Sequence, residues 1–189
     1  MGKVEIKANA YIYPMPAVII GANVNNKANF LTVAYCAAVE VEPPMIAISL
    51  GKNHHSNEGI KKNGTFSVNI PSANMVEVTD YVGIYSGKKV DKSELFDIFY
   101  GVLETAPMIT EAPLNHECKL VKIINELNTS EIYLGEIVKT YINEECITNK
   151  GPDIKKLDPI IFSVYDNNYW KVGEHLGKAW KVGRKYGKK

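Results

Sequence analysis

The residues best suited to chemistry lie in a polar stretch between Gly51 and Gly64, which follows an apolar segment. Here Lys52, two adjacent histidines, Ser56 and Asn57 come at the start of a pattern typical of a short helix. Cationic side chains, a hydroxyl group and the positive end of a helix dipole are groups that bind an anion such as phosphate. A simpler interpretation is that Ser56 only caps the helix and that both histidines are solvated. The residues alone leave both interpretations open.

A second candidate set lies on a predicted strand that follows an Asn-rich turn. Asn29, Thr32 and Ala34 fall at nearly alternate positions, and small side chains there would leave room for a flat ring against the backbone. However, Asn29 is equally typical of a turn, and Thr32 is a common strand residue. The pattern is weak without a further indication.

Other kinds of active site are not indicated by the sequence. His54 and His55 are adjacent and would diverge, while His116 and His175 stand alone, so no metal site is predicted. There is no Gly-x-Ser-x-Gly motif, and the glycines near position 85 lack the flanks of a dinucleotide-binding motif. No catalytic side chain is predicted, which favours a bound cofactor that carries the reaction.

The three cysteines, Cys36, Cys118 and Cys146, are odd in number and far apart. Neither a disulfide framework nor a zinc site is therefore indicated, and we expect them to be buried or half-buried apolar residues.

The charge of the 189-residue chain is nearly balanced, at +1, but it is unevenly distributed. Residues 1–170 carry a formal charge of −5 and residues 171–189 carry +6, and Arg184 is the only arginine. An acidic body without a basic groove argues against a nucleic-acid-binding protein. No apolar run approaches the roughly 18 residues of a membrane span, and no signal peptide is evident. We expect one domain over residues 1–189, in the cytoplasm.

Alternating and continuous apolar runs predict a mainly β chain with helical insertions, arranged as an antiparallel barrel. A helix of about two turns is predicted from a cap at Ser56 to Gly64, a second helix from a cap at Ser72 through Val82, and a short amphipathic turn at 95–99. The predicted strands are 18–22, 30–35, 45–50, 65–70, 117–127, 131–143 and 160–165.

Several short runs, taken in their order and spacing, resemble the flavin reductase-like family, and within it the flavoredoxin branch. These runs cover most of the chain and are Asn29–Tyr35, Glu42–Leu50, His55–Asn57 with Ile60, Phe66–Ile70, Ser86–Gly87, Val90–Lys92, Ala112–Leu114, Glu117–Lys119 and Leu134–Val138.

The resemblance implies an FMN-binding split β-barrel of antiparallel, Greek-key type, a homodimer, and FMN as the cofactor. It implies contacts to the isoalloxazine ring from the strand at 29–34, to the ribityl chain from the end of the strand at 45–50, and to the phosphate from the loop at 52–57. The implied cofactor-binding residues are Asn29, Thr32, Val33, Ala34, Ser49, Leu50, Lys52, His55, Ser56, Asn57, Asn69 and Lys92.

Two positions depart from the family pattern. Many members carry an arginine in the phosphate loop, where this chain has only lysine and histidine. Many also carry Gly-Asp-His where this chain has Thr129-Ser130-Glu131, and that histidine is linked to nicotinamide chemistry. The leading hypothesis is a homodimeric FMN protein in which the bound flavin does the redox work and one ring face stays open to a hydride or electron donor, either NAD(P)H or a redox protein. The alternative is a flavin-bound carrier that receives electrons from a redox protein.

The C-terminal segment 167–189 is basic and aromatic, with Trp170 and Trp180 only ten residues apart. One interpretation is an apolar strap that closes the barrel end. The other is a segment that packs at the dimer interface or beside the flavin entrance, where its charge would steer an acidic redox partner.

Overall fold

The predicted antiparallel sheet is the main feature of the computed structural model, which describes residues 2–186. In these residues the strands are β1 (Met15–Pro16), β2 (Val18–Val24), β3 (Lys27–Val33), β4 (Cys36–Val41), β5 (Pro44–Gly51), β6 (Thr65–Ile70), β7 (Ile98–Phe99), β8 (Met108–Ile109), β9 (Leu114–Ile124), β10 (Ser130–Ile142), β11 (Ile147–Thr148), β12 (Gly151–Pro152), β13 (Ile161–Ser163) and β14 (Asn168–Trp170). The α-helices are α1 (Ser56–Asn63), α2 (Val76–Ile84) and α3 (Ile154–Leu157), and 3-10 turns occur at Ala73–Met75, Glu144–Cys146 and Val182–Lys185.

Seven strands form the main sheet in the order β3-β2-β6-β9-β10-β5-β4, and every neighbouring pair is antiparallel. The two edge strands, β3 and β4, are consecutive in the chain and are separated only by Ala34 and Tyr35. So short a link forces the two edges of the sheet to approach each other, and the sheet curls into a barrel.

The two faces of β2 and β3 pack into different cores, as their nearly continuous apolar sequences predict. The first core lies inside the barrel and contains Val18, Ile20, Leu31, Phe66 and Tyr133 among others. The second core lies outside, between the same strands, helix α2 and the segment that follows it, and it contains Ile19, Ala28, Phe30, Met75, Val82, Phe96, Ile109 and Ala112.

The segment 85–113 covers the outer face of β6 and β9, and buried polar side chains of those strands hold it. The carboxylate of Glu117 is fully buried and accepts three consecutive backbone N–H groups, from Gly101 at 3.1 Å, Val102 at 3.1 Å and Leu103 at 2.9 Å. Because these bonds satisfy both carboxylate oxygens, the loop after β7 has a fixed position on the sheet.

Most of the predicted elements are confirmed, with four corrections. Strand β4 was not expected, because it follows β3 after only Ala34 and Tyr35 and no typical turn residue separates the two strands. The turn expected at 95–99 instead contributes β7. The cap predicted at Ser56 is wrong, since His55 occupies the N-cap position and makes no side-chain capping bond. The capping bond expected from Ser72 is likewise absent, and a 3-10 turn precedes α2.

Within the described part of this chain, the C-terminal segment is anchored at its start and exposed further along. Trp170 lies on β14 and donates its indole N–H to the Ser163 hydroxyl at 2.9 Å. Trp180 and Leu176, in contrast, are 91% and 97% exposed. The three cysteines are free, as expected, with Cys36 half-buried and the other two buried. The extent of the segment, 167–189, remains a prediction, and residues 187–189 lie outside the described part.

Candidate functional site at the start of helix α1

The loop between β5 and α1 is held in place by a side chain of the helix itself. Asn57 is 3% exposed and donates its amide to the carbonyl of Gly51 at 2.9 Å, and to that of Lys52 at 3.4 Å. The helix ends at Gly64, whose left-handed φ of 67° suits glycine. Asparagine at position 57 therefore ties the loop to the first turn of the helix, and the loop presents His54 and His55 beside that turn.

A buried hydrogen bond joins α1 to strand β3. The Asn29 amide donates to the Ser56 hydroxyl at 2.8 Å, and the two residues are 7% and 1% exposed. Because Ser56 accepts this bond, its own O–H stays available as a donor. Two residues that the sequence analysis placed in different parts of the cofactor site are thus in direct contact.

A cavity of about 250 Å³ opens at this junction. Its lining brings together four of the predicted site residues from three parts of the chain, and it adds the segment 83–87 at the end of α2. The lining residues are Asn29, Phe30, Leu31, Asn53, His54, His55, Ser56, Gly83, Ile84, Tyr85, Ser86, Gly87 and Lys92.

Lys92 is the buried cation of this cavity, at 2% exposed. Its ammonium group donates to the carbonyl of Phe30 at 2.9 Å and to that of Val82 at 2.7 Å, which joins β3 to α2. Burial lowers the pKa of Lys92 from 10.5 to about 8. Burial, and next to it the charge of Lys92, also lowers the pKa of His54 below its usual 6.5, so that this imidazole is neutral at pH 7.

Gly87 packs closely on Asn29, and the contact requires glycine. A Cβ at position 87 would come within 2.0 Å of the Asn29 side-chain oxygen and 3.0 Å of the His55 ring. The segment 83–87 was not among the predicted site residues, although the small and polar run Ser86-Gly87 followed by two lysines was a possible signal.

The residues predicted for the ring side lie on β3, in the link that follows it and on β5, close to where the two sheet edges approach each other. Ala34 and Ser49 line a cavity of about 370 Å³, and Ala34 and Thr32 line another of about 240 Å³. The side chains of Val33 and Leu50 point into the barrel core and are 6% and 1% exposed. These two residues therefore offer only backbone groups to a ligand.

Two other predicted residues lie apart from the cavity at α1. Asn69 is fully buried, and its amide bonds to Ile19, Ser67, Ile109 and Asn115, so both of its polar atoms are engaged inside the fold. Lys52 is exposed on the loop and is not part of that cavity lining.

The position where the resemblance implies a histidine is occupied here by an engaged carboxylate. Glu131 is 7% exposed, and it accepts from the ammonium of Lys61 on α1 at 2.8 Å and from the hydroxyl of Tyr133 at 2.6 Å. The bond from Lys61, and next to it the one from Tyr133, lowers the pKa of Glu131. Strand β10 is thereby tied to the helix that forms the site.

Comparison with known proteins decides the family. The model of the flavin reductase like domain matches residues 10–161. The chain belongs to the flavin reductase like domain family. Among solved structures, this flavin reductase-like chain is similar to a flavoredoxin from Methanosarcina acetivorans, at 46% identity over 98% of this chain and 100% of that chain, with a TM-score of 0.95.

A flavoredoxin of Desulfovibrio vulgaris (Miyazaki F) is 34% identical over 97% of this chain and 100% of that one, with a TM-score of 0.89. A protein of Archaeoglobus fulgidus, described only as uncharacterized, is 26% identical over 76% of this chain and 81% of its own length. The resemblance to the flavoredoxin branch and the mainly β, antiparallel split-barrel fold are therefore confirmed.

Within residues 2–186 no group of three or more metal-ligating side chains comes together. No described helix is long and apolar enough to cross a membrane.

Proposed function

We propose that this chain is an FMN-binding redox protein, with the flavin phosphate at the start of α1. The observation that supports the proposal is the meeting of the Ser56 hydroxyl, the Lys92 ammonium and a helix N-terminus in one cavity. A hydroxyl donor, a buried cation and a helix dipole together favour a dianionic group. This arrangement needs no arginine in the loop.

A buried side-chain nitrogen beside this cavity suits such a ligand. The Nδ1 atom of His55 is buried without a hydrogen-bond partner there, and the nearest carboxylate oxygen, from Glu58, is 3.7 Å away. Buried polar atoms are rarely left unpaired, so an imidazole with an unpaired nitrogen at a cavity wall supports a ligand that bonds to it. In the neutral ring this nitrogen is a donor or an acceptor according to the tautomer.

The seam between β3 and β5 would hold the isoalloxazine ring. Ala34 and Ser49 are small, and the backbone of Val33 and Leu50 lies beside them, so the chain would contact the ring with backbone groups rather than with acids or bases. When bound, the flavin supplies reversible acceptance of a hydride or of single electrons. The residues of this chain bind it, orient it and set the polarity around it.

Two candidate functions remain, and they differ in the electron donor. The first is a flavin-dependent oxidoreductase that oxidises NAD(P)H. The second is a carrier that receives electrons from a redox protein, and it is favoured by Glu131, whose carboxylate bonds to Lys61 and Tyr133 and is not free to contact a nicotinamide.

We also propose that the working unit is a homodimer. Edge strand β4 exposes Val39 at 51% and Val41 at 87%, and the N-terminal arm exposes Val4 at 85% and Ile6 at 66%. An apolar edge strand left in water is an association surface, and a second copy would cover it. The exposed C-terminal residues Leu176 and Trp180 add to the apolar area that a second copy would bury.

An absorbance spectrum of the purified protein tests cofactor and activity together. We expect a flavin spectrum, either as purified or after FMN is added and the excess removed. Anaerobic mixing with NADH and with NADPH then separates the two candidates, because an oxidoreductase bleaches the flavin within seconds at typical turnover rates, whereas a carrier does not. Protein that remains colourless after saturation with FMN contradicts the proposed function.

A further inference from the structure

A separate groove lies between helix α2, strand β3 and the small sheet that contains β14, and its volume is about 240 Å³. It shares Gly83 and Ile84 with the cavity at α1, and it shares Ala34 with the larger cavity beside β5. The groove therefore adjoins both of the cavities that the proposed function assigns to the flavin. Its lining residues are Ala17, Thr32, Ala34, Asp80, Gly83, Ile84, Phe162 and Tyr169.

The side chains of this groove offer hydrogen-bond acceptors to a ligand, because their donors are already used. Tyr169 on β14 donates its hydroxyl to the carboxylate of Asp80 on α2 at 2.9 Å. Burial, and next to it this hydrogen bond, raises the pKa of Tyr169 to about 12, so the phenol keeps its proton at neutral pH. The Thr32 hydroxyl donates to the carbonyl of Thr79. The other carboxylate oxygen of Asp80 receives no hydrogen bond from the residues that the structure describes.

The rest of the groove is apolar. Phe162 and Tyr169 are paired across strands β13 and β14, and their ring centroids lie 5.8 Å apart. Aliphatic side chains complete the wall, namely those of Ala17, Ala34 and Ile84. Apolar walls with a few placed polar groups are typical of a small-molecule site. The volume lies below the range of about 300–1,000 Å³ for drug-sized ligands, so the groove suits a compound with a single ring.

We propose that this groove binds a small second ligand beside the flavin, a single-ring compound that donates an N–H or O–H group to Asp80 and carries no negative charge. The proposal rests on the proposed function, because it takes the flavin to lie along β3. An amide, an amine or a phenol would bond to the carboxylate oxygen that Tyr169 leaves open. A carboxylate or a phosphate would find no side-chain donor in the groove, and the charge of Asp80 would repel it. Asp80 is therefore the residue that selects the ligand, and Tyr169 holds its carboxylate in place.

The test compares the binding of benzamide and of benzoate, which have nearly the same size but differ in charge and in donor groups, by ligand-observed NMR. We expect the wild type to bind benzamide at least about tenfold more tightly than benzoate. Asp80→Asn removes the charge and adds a donor, so this ratio of affinities should fall about tenfold or more. Glu77→Gln, which removes an exposed carboxylate of the same helix, is the matched control and should leave the ratio unchanged.

A second variant tests the role of the tyrosine. Tyr169→Phe keeps the charge of Asp80 but removes the hydrogen bond that holds the carboxylate. Benzamide should therefore bind about three- to tenfold more weakly, while benzoate remains the weaker of the two ligands. This variant also decides the question if Asp80→Asn does not fold, because undiminished benzamide binding in Tyr169→Phe would contradict the proposal.

Equal binding of the two compounds by the wild type would overturn the proposal, and so would an unchanged ratio in Asp80→Asn. A shift in the absorbance of the bound flavin on addition of benzamide is the second expected readout, and its absence would place the ligand away from the flavin and refute the assignment. If benzamide binding depends on Asp80 while the protein binds no flavin, the proposed function fails and the groove stands as a ligand site. If flavin binds and neither compound does, the proposal for the groove fails and the proposed function stands.

Discussion

The side-chain oxygen of Asn69 accepts the backbone N–H of Ile109 at 3.0 Å. Two neighbouring contacts repeat the same sequence separation of 40 residues: the hydroxyls of Thr65 and Thr105 lie 2.6 Å apart, and the Ser67 hydroxyl donates to the carbonyl of Pro107. Alternate side chains of β6 therefore bind alternate residues of the covering segment. This explains why β6 carries polar residues on a buried face.

Replacement of Asn69 should affect stability rather than flavin binding. Asn69→Ala leaves the N–H of Ile109 and the amide of Asn115 without their shared acceptor, so we expect a loss of about 2–3 kcal/mol in the free energy of unfolding. Urea unfolding of the variant measures it, with exposed Asn125→Ala as the control. A large loss of FMN affinity without a loss of stability would instead make Asn69 a cofactor residue.

Binding of FMN should weaken as pH rises through the pKa of Lys92. That pKa is about 8 in the unliganded protein, and a bound phosphate favours the charged form. The affinity should therefore fall about five- to tenfold between about pH 7.5 and 9.5, while the phosphate remains dianionic. Titration of FMN across this range measures the fall, and Lys92→Met should bind more weakly and show a flatter profile.

The same group has the opposite effect on the unliganded protein. Because the folded-state pKa of about 8 lies below 10.5, the unfolded chain binds more protons between these values. The contribution of Lys92 to stability therefore increases as pH rises through this window. A stability profile of Lys92→Met that matched the wild type from about pH 8 to 10.5 would contradict this assignment.

Removal of the Ser56 hydroxyl should weaken the phosphate contact specifically. Ser56→Ala loses one donor to the ligand and leaves the Asn29 amide without its acceptor, so FMN affinity should fall about tenfold or more. Riboflavin, which lacks the phosphate, is the matched control ligand and should bind nearly as well as to the wild type. Equal weakening of both ligands would indicate a distorted site.

The ion pair between Glu131 and Lys61 should stabilise the protein above mildly acidic pH. The pKa of Glu131 is lowered in the folded state, so its contribution is present above the usual value of 4.5 and is lost as pH falls through the folded-state pKa. We expect Glu131→Gln to lower the free energy of unfolding at pH 7 by about 1–2 kcal/mol, and less at low pH. Exposed Glu104→Gln is the control.

Charge on the edge strand should prevent dimer formation. Val39→Glu/Val41→Glu places two carboxylates on β4, where a second copy would have to bury them. Light scattering after size exclusion should give the mass of a monomer for this variant and of a dimer for the wild type. Val121→Glu, at a position 56% exposed on β9, should leave the dimer intact. A monomeric wild type would refute the proposed dimer.

The apolar runs of β2, β3 and β5 predict these strands well. The sequence does not predict β4, because the apolar residues of this strand follow β3 after only Ala34 and Tyr35, with no glycine, proline or asparagine to mark a turn. For the site, the polar loop before α1 was visible, but the contact of Ser56 with Asn29 was not, since it depends on how β3 and α1 pack. Asn69 is the reverse case: the resemblance gives this buried residue a ligand role that stays a prediction, and the bonds that its amide makes within the fold could not be read from the sequence.

The two edge strands, β3 and β4, are joined by two residues, Ala34 and Tyr35, and not by a ladder of backbone hydrogen bonds. A flat molecule can therefore lie against the outer edge of β3 without displacing a strand, and it finds backbone donors and acceptors already aligned. For a flavin bound there as proposed, entry would not require two paired strands to separate, so we expect an association rate nearly independent of the overall stability of the barrel. The incomplete closure of the sheet would thus separate the rate of cofactor exchange from the lifetime of the fold.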